Sequence, residues 1–336
     1  MTRTQRLMWA AYIDELGPPD TIRYGALPVP EPGPTDVLVR VHAVAVNPVD
    51  TMIRSGRYRT LVDFPFVIGR DLVGRVAEVG SQVTGFAIGD PVWCNSLGHD
   101  GRQGAAAQYA LVAADRLYPL APGADPIELV AVAHPAATAY LALTVHADLQ
   151  PGETVLIAGA GGHVGRAATV LAAHAGAKVI ATASADDLDD CLSLGAAEAF
   201  DYHDPDLPRL IREAAPHGVD VHLDTSGHHD FVLAASLLAR RGRVILMAGR
   251  GERPAFPVRE LYINDASVLG FVISNATTDE LAAAAEEINA LVDEGLMAPR
   301  LIEDLPLSDA ATAHARLETG QARGVRLILE PPNEEL

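Results

Sequence analysis

Lysine is almost missing from this chain. One, Lys178, stands among 25 basic residues, and 44 acids give a formal net charge of −19. A chain so short of positive charge excludes a nucleic-acid partner, because binding a phosphate backbone draws on clustered Lys and Arg. The lone lysine has His174 four residues before it, so there is no YxxxK pair for a short-chain reductase. The same lack disposes of a Schiff-base enzyme. Cysteine is as scarce: Cys94 and Cys191 lie far apart, in no CxxC or Cys/His pattern. That leaves neither a disulfide framework nor a structural zinc signature, and it fits a reducing, cytoplasmic location. No GxSxG elbow marks a hydrolase. Acids interrupt "MTRTQRLMWAAYIDELG", which excludes the continuous apolar core of a secretory signal. The longest stretch free of Asp, Glu, Lys and Arg is 129–147, "LVAVAHPAATAYLALTVHA". Its proline, two histidines and small side chains indicate a buried interdomain helix rather than a membrane span.

What is present is a chain of 336 residues, 49% hydrophobic and 21% charged, long enough for about two globular domains. From about 151 to 271, continuous apolar runs ("ETVLIAG", "AKVIATA", "EAFDY", "VDVHLD", "RVILMAG", "ASVLGFVI") alternate with helical patterns. Such runs predict six parallel strands covered on both faces, in a doubly wound α/β sheet. The first 128 residues read as short β-rich segments separated by Pro- and Gly-rich turns, a compact antiparallel unit. In the tail, "DELAAAAEEINALVDEG" predicts an amphipathic helix and "GVRLILEPP" a strand that returns to complete the first domain. The predicted division is 1–128 with 272–336, and 129–271.

The stretch "VLIAGAGGHVGRAA" (155–168) joins the first strand of the six to a helix. It reads AxGxxG through Ala160, Gly162 and Gly165, short of a full GxGxxG. Its placement makes it a pyrophosphate-binding turn, because backbone N–H groups and the positive end of the helix dipole meet there. Ala160, Gly162, His163, Val164 and Gly165 are therefore cofactor-binding candidates. The second strand ends in Ala183 and Ser184 rather than an acid, which favours NADPH with Ser184 in its site. Asp186 and Asp187 follow and weaken phosphate binding, with Arg209 or Arg212 as the compensating cation. The expected preference for NADPH over NADH is about tenfold, ~1.4 kcal/mol.

Further segments join these: "VNPVDTMIRSGRY" (46–58), "PFVIGRDLVGRVAEVG" (65–80), "FAIGDPVW" (86–93) and "LGAAEAFDY" (194–202). In this order they resemble the medium-chain dehydrogenase/reductase superfamily, in its zinc-free, zeta-crystallin-like quinone oxidoreductase branch. The resemblance implies a GroES-like catalytic domain, a Rossmann domain inserted into it, a cleft between them and a homodimer. Zinc-dependent relatives place ligands where this chain has Asn47, Arg70 and His134, so the chemistry implied is metal-free: NADPH-dependent hydride transfer to a quinone or an α,β-unsaturated carbonyl compound. The alternatives are an enoyl-thioester reductase on the same scaffold and a non-catalytic NADPH-binding protein. Of two tyrosines that relatives place near the nicotinamide, the first is Met52 here and the second is Tyr58, which is either a proton donor or a packing aromatic. Asn47 and Arg70 take positional roles, Arg70 with Asp71 or another acid as the plainer alternative. By the same resemblance Thr138, Ser226, Gly249, Phe271 and Ile273 contact the cofactor, Tyr202 packs near the 2′-phosphate, and 266–273 lies at a dimer interface. Relatives also place at 186 and 187 a lysine that grips that phosphate. His228, His229 and Asp230 read as capping or surface residues for want of partner ligands.

Overall fold

The computed structural model describes residues 6–249, 251, 253–334 and 336. Residues 1–5, on which the predicted domain start and the expectation of no secretory leader partly rest, lie outside it. Two compact units divide the chain: Met1–His134 with Leu281–Leu336, and Pro135–Glu280.

The first unit begins β1 (Leu7–Ile13), β2 (Arg23–Pro28), β3 (Asp36–Ala45), α1 (Pro48–Arg54), β4 (Phe66–Val67), β5 (Leu72–Val79), β6 (Pro91–Cys94), β7 (Tyr109–Ala113) and β8 (Tyr118–Pro119). Its centre is β3, where exposed Arg40 and His42 alternate with buried Val39, Val41 and Ala43. That alternation lets one face pack on the core while the other meets solvent. β3 pairs antiparallel with both β5 and β7. A second, small sheet has the order β2-β1-β4.

The chain continues through α2 (Pro126–Tyr140) and a π-helical turn, Leu141–His146. This stretch, Pro126–His146, is long and apolar enough to cross a bilayer by length and composition, but most of it is buried inside the protein, as in the core helix of a globular domain.

The second unit alternates β9 (Thr154–Ala158), α3 (His163–His174), β10 (Lys178–Ala183), α4 (Leu188–Ser193), β11 (Glu198–Asp201), α5 (Leu207–Ala214), β12 (Val219–Asp224), α6 (Phe231–Leu237), β13 (Leu238–Leu246), α7 (Val258–Ile263) and β14 (Ser267–Gly270). The strands form one parallel sheet in the order β11-β10-β9-β12-β13-β14. In chain order that is 3-2-1-4-5-6, the doubly wound Rossmann arrangement. Val155, Leu156 and Ile157 of β9 are all buried, as a strand with cover on both faces requires. β14 is shorter than the eight-residue run predicted, since Ile273 already belongs to the next 3-10 turn.

Past α8 (Thr278–Asp293), the chain forms β15 (Ile302–Pro306), α9 (Ala310–Glu318) and β16 (Arg326–Glu330). β16 pairs antiparallel with β3 and parallel with β15. The tail strand thus completes the first sheet. The parallel pair was not foreseen in a unit read as antiparallel; α9 supplies the crossover that such a pair needs.

Candidate active site

Strand order in the second unit reverses between β9 and β12, and there the turn Gly159–Gly162 lies. Gly159 has φ +80°, a left-handed conformation that a side chain disfavours. Its N–H and that of Ala160 both donate to Thr182 O, at 3.0 and 2.9 Å, tying the turn to β10. On the other side the Thr225 hydroxyl donates to Ala158 O and Gly159 O, at 2.9 and 3.0 Å. The turn is thus clamped by both neighbouring strands. Gly162 is the N-cap of α3 and has no side chain to cap the helix. The N–H groups of the first helical turn, from His163, Val164 and Gly165, have no acceptor within the helix, which is the geometry that receives an anion. Gly165 is there for packing: a Cβ on it would stand 2.3 Å from Gly159 O and 2.6 Å from Ala160 Cα. These residues fit a dinucleotide pyrophosphate.

Around this turn, Ser184 follows β10 and its hydroxyl lies 2.6 Å from Asp187 Oδ2. Tyr202 is exposed, its N–H donating to Ala183 O at 3.1 Å and its ring lying against His203. Ser226 is held by Asp224 Oδ1, which accepts from its N–H and its hydroxyl at 2.8 and 2.7 Å. His229 does more than decorate the surface: Nδ1 is 3.0 Å from Asp224 Oδ2 and Nε2 is 2.5 Å from Ala248 O. It therefore joins the loops after β12 and β13. Asp230 caps α6, accepting from the Leu233 N–H at 2.9 Å. Gly249 lies in the second of those loops with open space about it. Phe271 stacks on His146, ring centres 4.5 Å apart, while Ile273 and Thr138 are buried. The two cations expected to offset the acids are engaged elsewhere. Arg209 pairs with Asp206 and Glu213, and Arg212 donates to Ser236 Oγ and Pro208 O.

In the first unit, α1 begins at Asn47, whose N–H donates to Asp50 Oδ2 at 2.8 Å. Its amide donates to Asp71 Oδ2 at 2.8 Å and accepts from Arg326 Nη2 at 3.0 Å. Asp71 Oδ1 in turn lies 3.6 Å from His134 Nδ1. Asn47, Asp50, Arg70, Asp71 and Arg326 are all buried, a dense knot of charge in a low-dielectric interior. Burial lifts the Asp50 carboxyl to about 7, with Asp71 adding to the rise and the Asn47 N–H and Arg70 opposing it. Burial likewise depresses the Arg70 and Arg326 guanidiniums against the pull of Asp50 and Asp71. Tyr58 is half-buried, its ring 5.8 Å from that of His99 and its N–H donating to Met52 O. Sequence reading brought Asn47, Arg70 and His134 to this place but missed Asp50 and Arg326. The spacing Asn47-x-x-Asp50, an acid three residues after an N-cap, carries a signal for the first. Nothing in the local sequence carries one for Arg326, whose partner lies 279 residues away.

The donors at Asn47, Arg70 and His134 are an amide, a guanidinium and an imidazole. A guanidinium offers hydrogens only, so this set does not fit a zinc ion. Among the described residues no three His, Cys, Asp or Glu side chains are grouped to hold a metal.

Comparison with known proteins is consistent along the chain. Residues 33–122 match the Alcohol dehydrogenase GroES-like domain, and 164–290 match the domain described as Zinc-binding dehydrogenase. The quinone oxidoreductase of Mus musculus is 32% identical over 334 residues, 98% of this chain and 99% of its own. A structure described as an NAD-dependent alcohol dehydrogenase superposes with a TM-score of 0.86 at 30% identity, covering 96% of this chain and 99% of that one. A mycobacterial structure complexed with NADPH gives 0.82 at 27% identity, covering 96% and 100%.

Proposed function

Because the chain belongs to the medium-chain dehydrogenase/reductase superfamily, in its quinone oxidoreductase family, we propose that it is a metal-free reductase. It uses a nicotinamide dinucleotide to reduce a quinone or an α,β-unsaturated carbonyl compound. The observation that carries this reading is the glycine turn at the reversal of strand order in the second unit. A bound nicotinamide supplies hydride chemistry. The chain's own residues do the rest. The first turn of α3 meets the pyrophosphate, and Gly165 lets helix and turn approach closely enough to form that cradle. Asn47 and Arg70, each 1% exposed, are positioning residues: Asn47 holds Asp71 and, through it, His134, and the Arg70 guanidinium feels the charge of Asp50 and Asp71. The Tyr58 hydroxyl is the donor to the oxygen that gains charge as the acceptor is reduced. Ser184 at the end of β10 supports NADPH, and Asp187 beside it supports NADH. A homodimer in the cytoplasm belongs to the same reading: the two cysteines are free and buried, in accord with reducing surroundings.

The test is a panel of quinones, enones and crotonyl-type thioesters with NADH and NADPH, run with and without chelator. Turnover of quinones or enones, indifferent to chelator, is expected. Turnover confined to thioesters would make the protein an enoyl-thioester reductase, and tight dinucleotide binding with no turnover a non-catalytic binder. One zinc per chain, with activity lost on its removal, overturns the metal-free step. Tyr58→Phe is expected to lower kcat at least about tenfold with the cofactor KM unchanged; an unchanged kcat assigns the proton to water.

A further inference from the structure

We propose that Asp187 selects the cofactor, its carboxylate holding the adenosine ribose diol of NADH and excluding the 2′-phosphate of NADPH. The inference rests on the dinucleotide reading above and reverses the preference expected from the end of β10. Three observations lead to it.

The first is position. A Cβ built on Gly161 would lie 2.7 Å from Asp187 Oδ2 and 3.0 Å from its Cβ and Cγ. The carboxylate therefore stands directly over the pyrophosphate-binding turn, with no side chain between. The second is fixation. The Asp187 N–H donates to Ser184 O at 2.9 Å, and the Ser184 hydroxyl lies 2.6 Å from Oδ2. The acid is thus held at the end of the second strand by a two-point contact, three residues later than sequence position alone marks it. An acid at that place accepts from ribose hydroxyls and repels a phosphate. Ser184, read from sequence as part of an NADPH site, positions that acid instead.

The third is the charge around it. From 163 to 214 the sequence carries nine acids against four Lys or Arg. Each of the four is engaged: Arg166 pairs with Asp190, Lys178 Nζ donates to Ala214 O at 2.7 Å, and Arg209 and Arg212 are held as described. To bind a 2′-phosphate, one of these cations must leave its present partner and approach past Asp186 and Asp187. A phosphate monoester carries most of two negative charges near pH 7, and a fixed carboxylate beside it repels that charge. A ribose diol brings no charge and two donors.

The experiment is titration of the purified full-length protein with NADH and with NADPH, followed by nicotinamide fluorescence, so that no acceptor is needed. NADH is expected to bind at least 50-fold more tightly. Asp187→Asn keeps the size and removes the charge, and should narrow that ratio below tenfold. Gly161→Ala displaces the carboxylate from the other side and should narrow it too, whatever it does to both affinities together. NADPH binding as tightly as NADH, or a ratio unmoved in Asp187→Asn, would overturn the assignment and leave the reductase reading standing. Binding of neither dinucleotide would overturn both.

Discussion

At the scale of single residues, the turn before α3 separates two effects that sequence alone merges. Gly162 has one neighbour near its missing Cβ, Gly159 O at 3.3 Å, whereas Gly165 faces backbone at 2.3 Å. Gly162→Asp should therefore keep the fold and lose dinucleotide binding through charge at the anion site. Gly165→Ala should cost about 1–3 kcal/mol of stability through overpacking and lose binding through displacement of the turn. Equal thermal melts with unequal binding for wild type and Gly162→Asp check the first, and a lowered melt the second. Buried titratable groups make a second prediction, with two signs. Burial, reinforced by Arg54, pushes His314 down to about 3, so between pH 6.5 and 3 the unfolded chain takes up a proton that the fold refuses, and stability falls as pH falls. Burial lifts Asp50 to about 7, so between about 4 and 7 the fold keeps a proton that the unfolded chain releases, and stability falls as pH rises. The two oppose each other near pH 5. His314→Leu should remove up to about 3 kcal/mol of the loss between pH 7 and 4.5, and Asp50→Asn should flatten the opposite slope. Urea midpoints across pH that match wild type in both variants would show that neither group titrates as its burial demands.

Elements are where the sequence was most readable. Continuous apolar runs marked all six strands of the doubly wound sheet, most plainly β9, β10 and β12, whose residues are mostly buried, while the edge strands β11 and β14 are only partly so; the turn "AGAGGHVG" marked its reversal point because small residues there serve backbone geometry. Asn47, Arg70 and Tyr58 were named by resemblance, and Asp71 as an acid beside Arg70, but Asp50 and Arg326 were not. Arg326 sits in a strand whose pattern, "GVRLILE", reports burial and nothing about what its guanidinium meets, and Asp187 lies past the strand end where an acid is usually sought. Long-range pairing and loop reach leave no local periodicity to read. β16 illustrates the energetic side: Leu327, Ile328 and Leu329 are buried, and the strand closes the sheet against β3. Leu329→Ala should cost about 2–5 kcal/mol, measured as a fall in the denaturation midpoint of the first unit. A Trp93 fluorescence transition unchanged from wild type would show that β16 is an ornament rather than a member of the core.

For the whole molecule, the net charge of −19 sets a background that no single ion pair offsets. Self-repulsion among like charges weakens with added salt, so raising ionic strength from about 0.02 to 0.5 M should raise the melting temperature; a melting temperature that falls or stays level would mean that specific ion pairs, such as Arg316 with Glu303, outweigh the net charge. The chain's largest-scale feature is that the first unit is written in two pieces, with the whole second unit between them. On a ribosome, β3 gains β5 and β7 early, but the end of its β7 edge, Val44 and Ala45, pairs with β16, which follows only after the whole second unit has been translated. The second unit is contiguous and complete before then. Synthesis therefore sets an expected order: the second unit can fold on the nascent chain, while Asn47 waits for Arg326 to arrive and close the charge network around it. Chains stalled before residue 326 should already protect the second unit from protease and leave Val44 and Ala45 of β3 without their partner strand, so the first unit stays incomplete until translation is all but over.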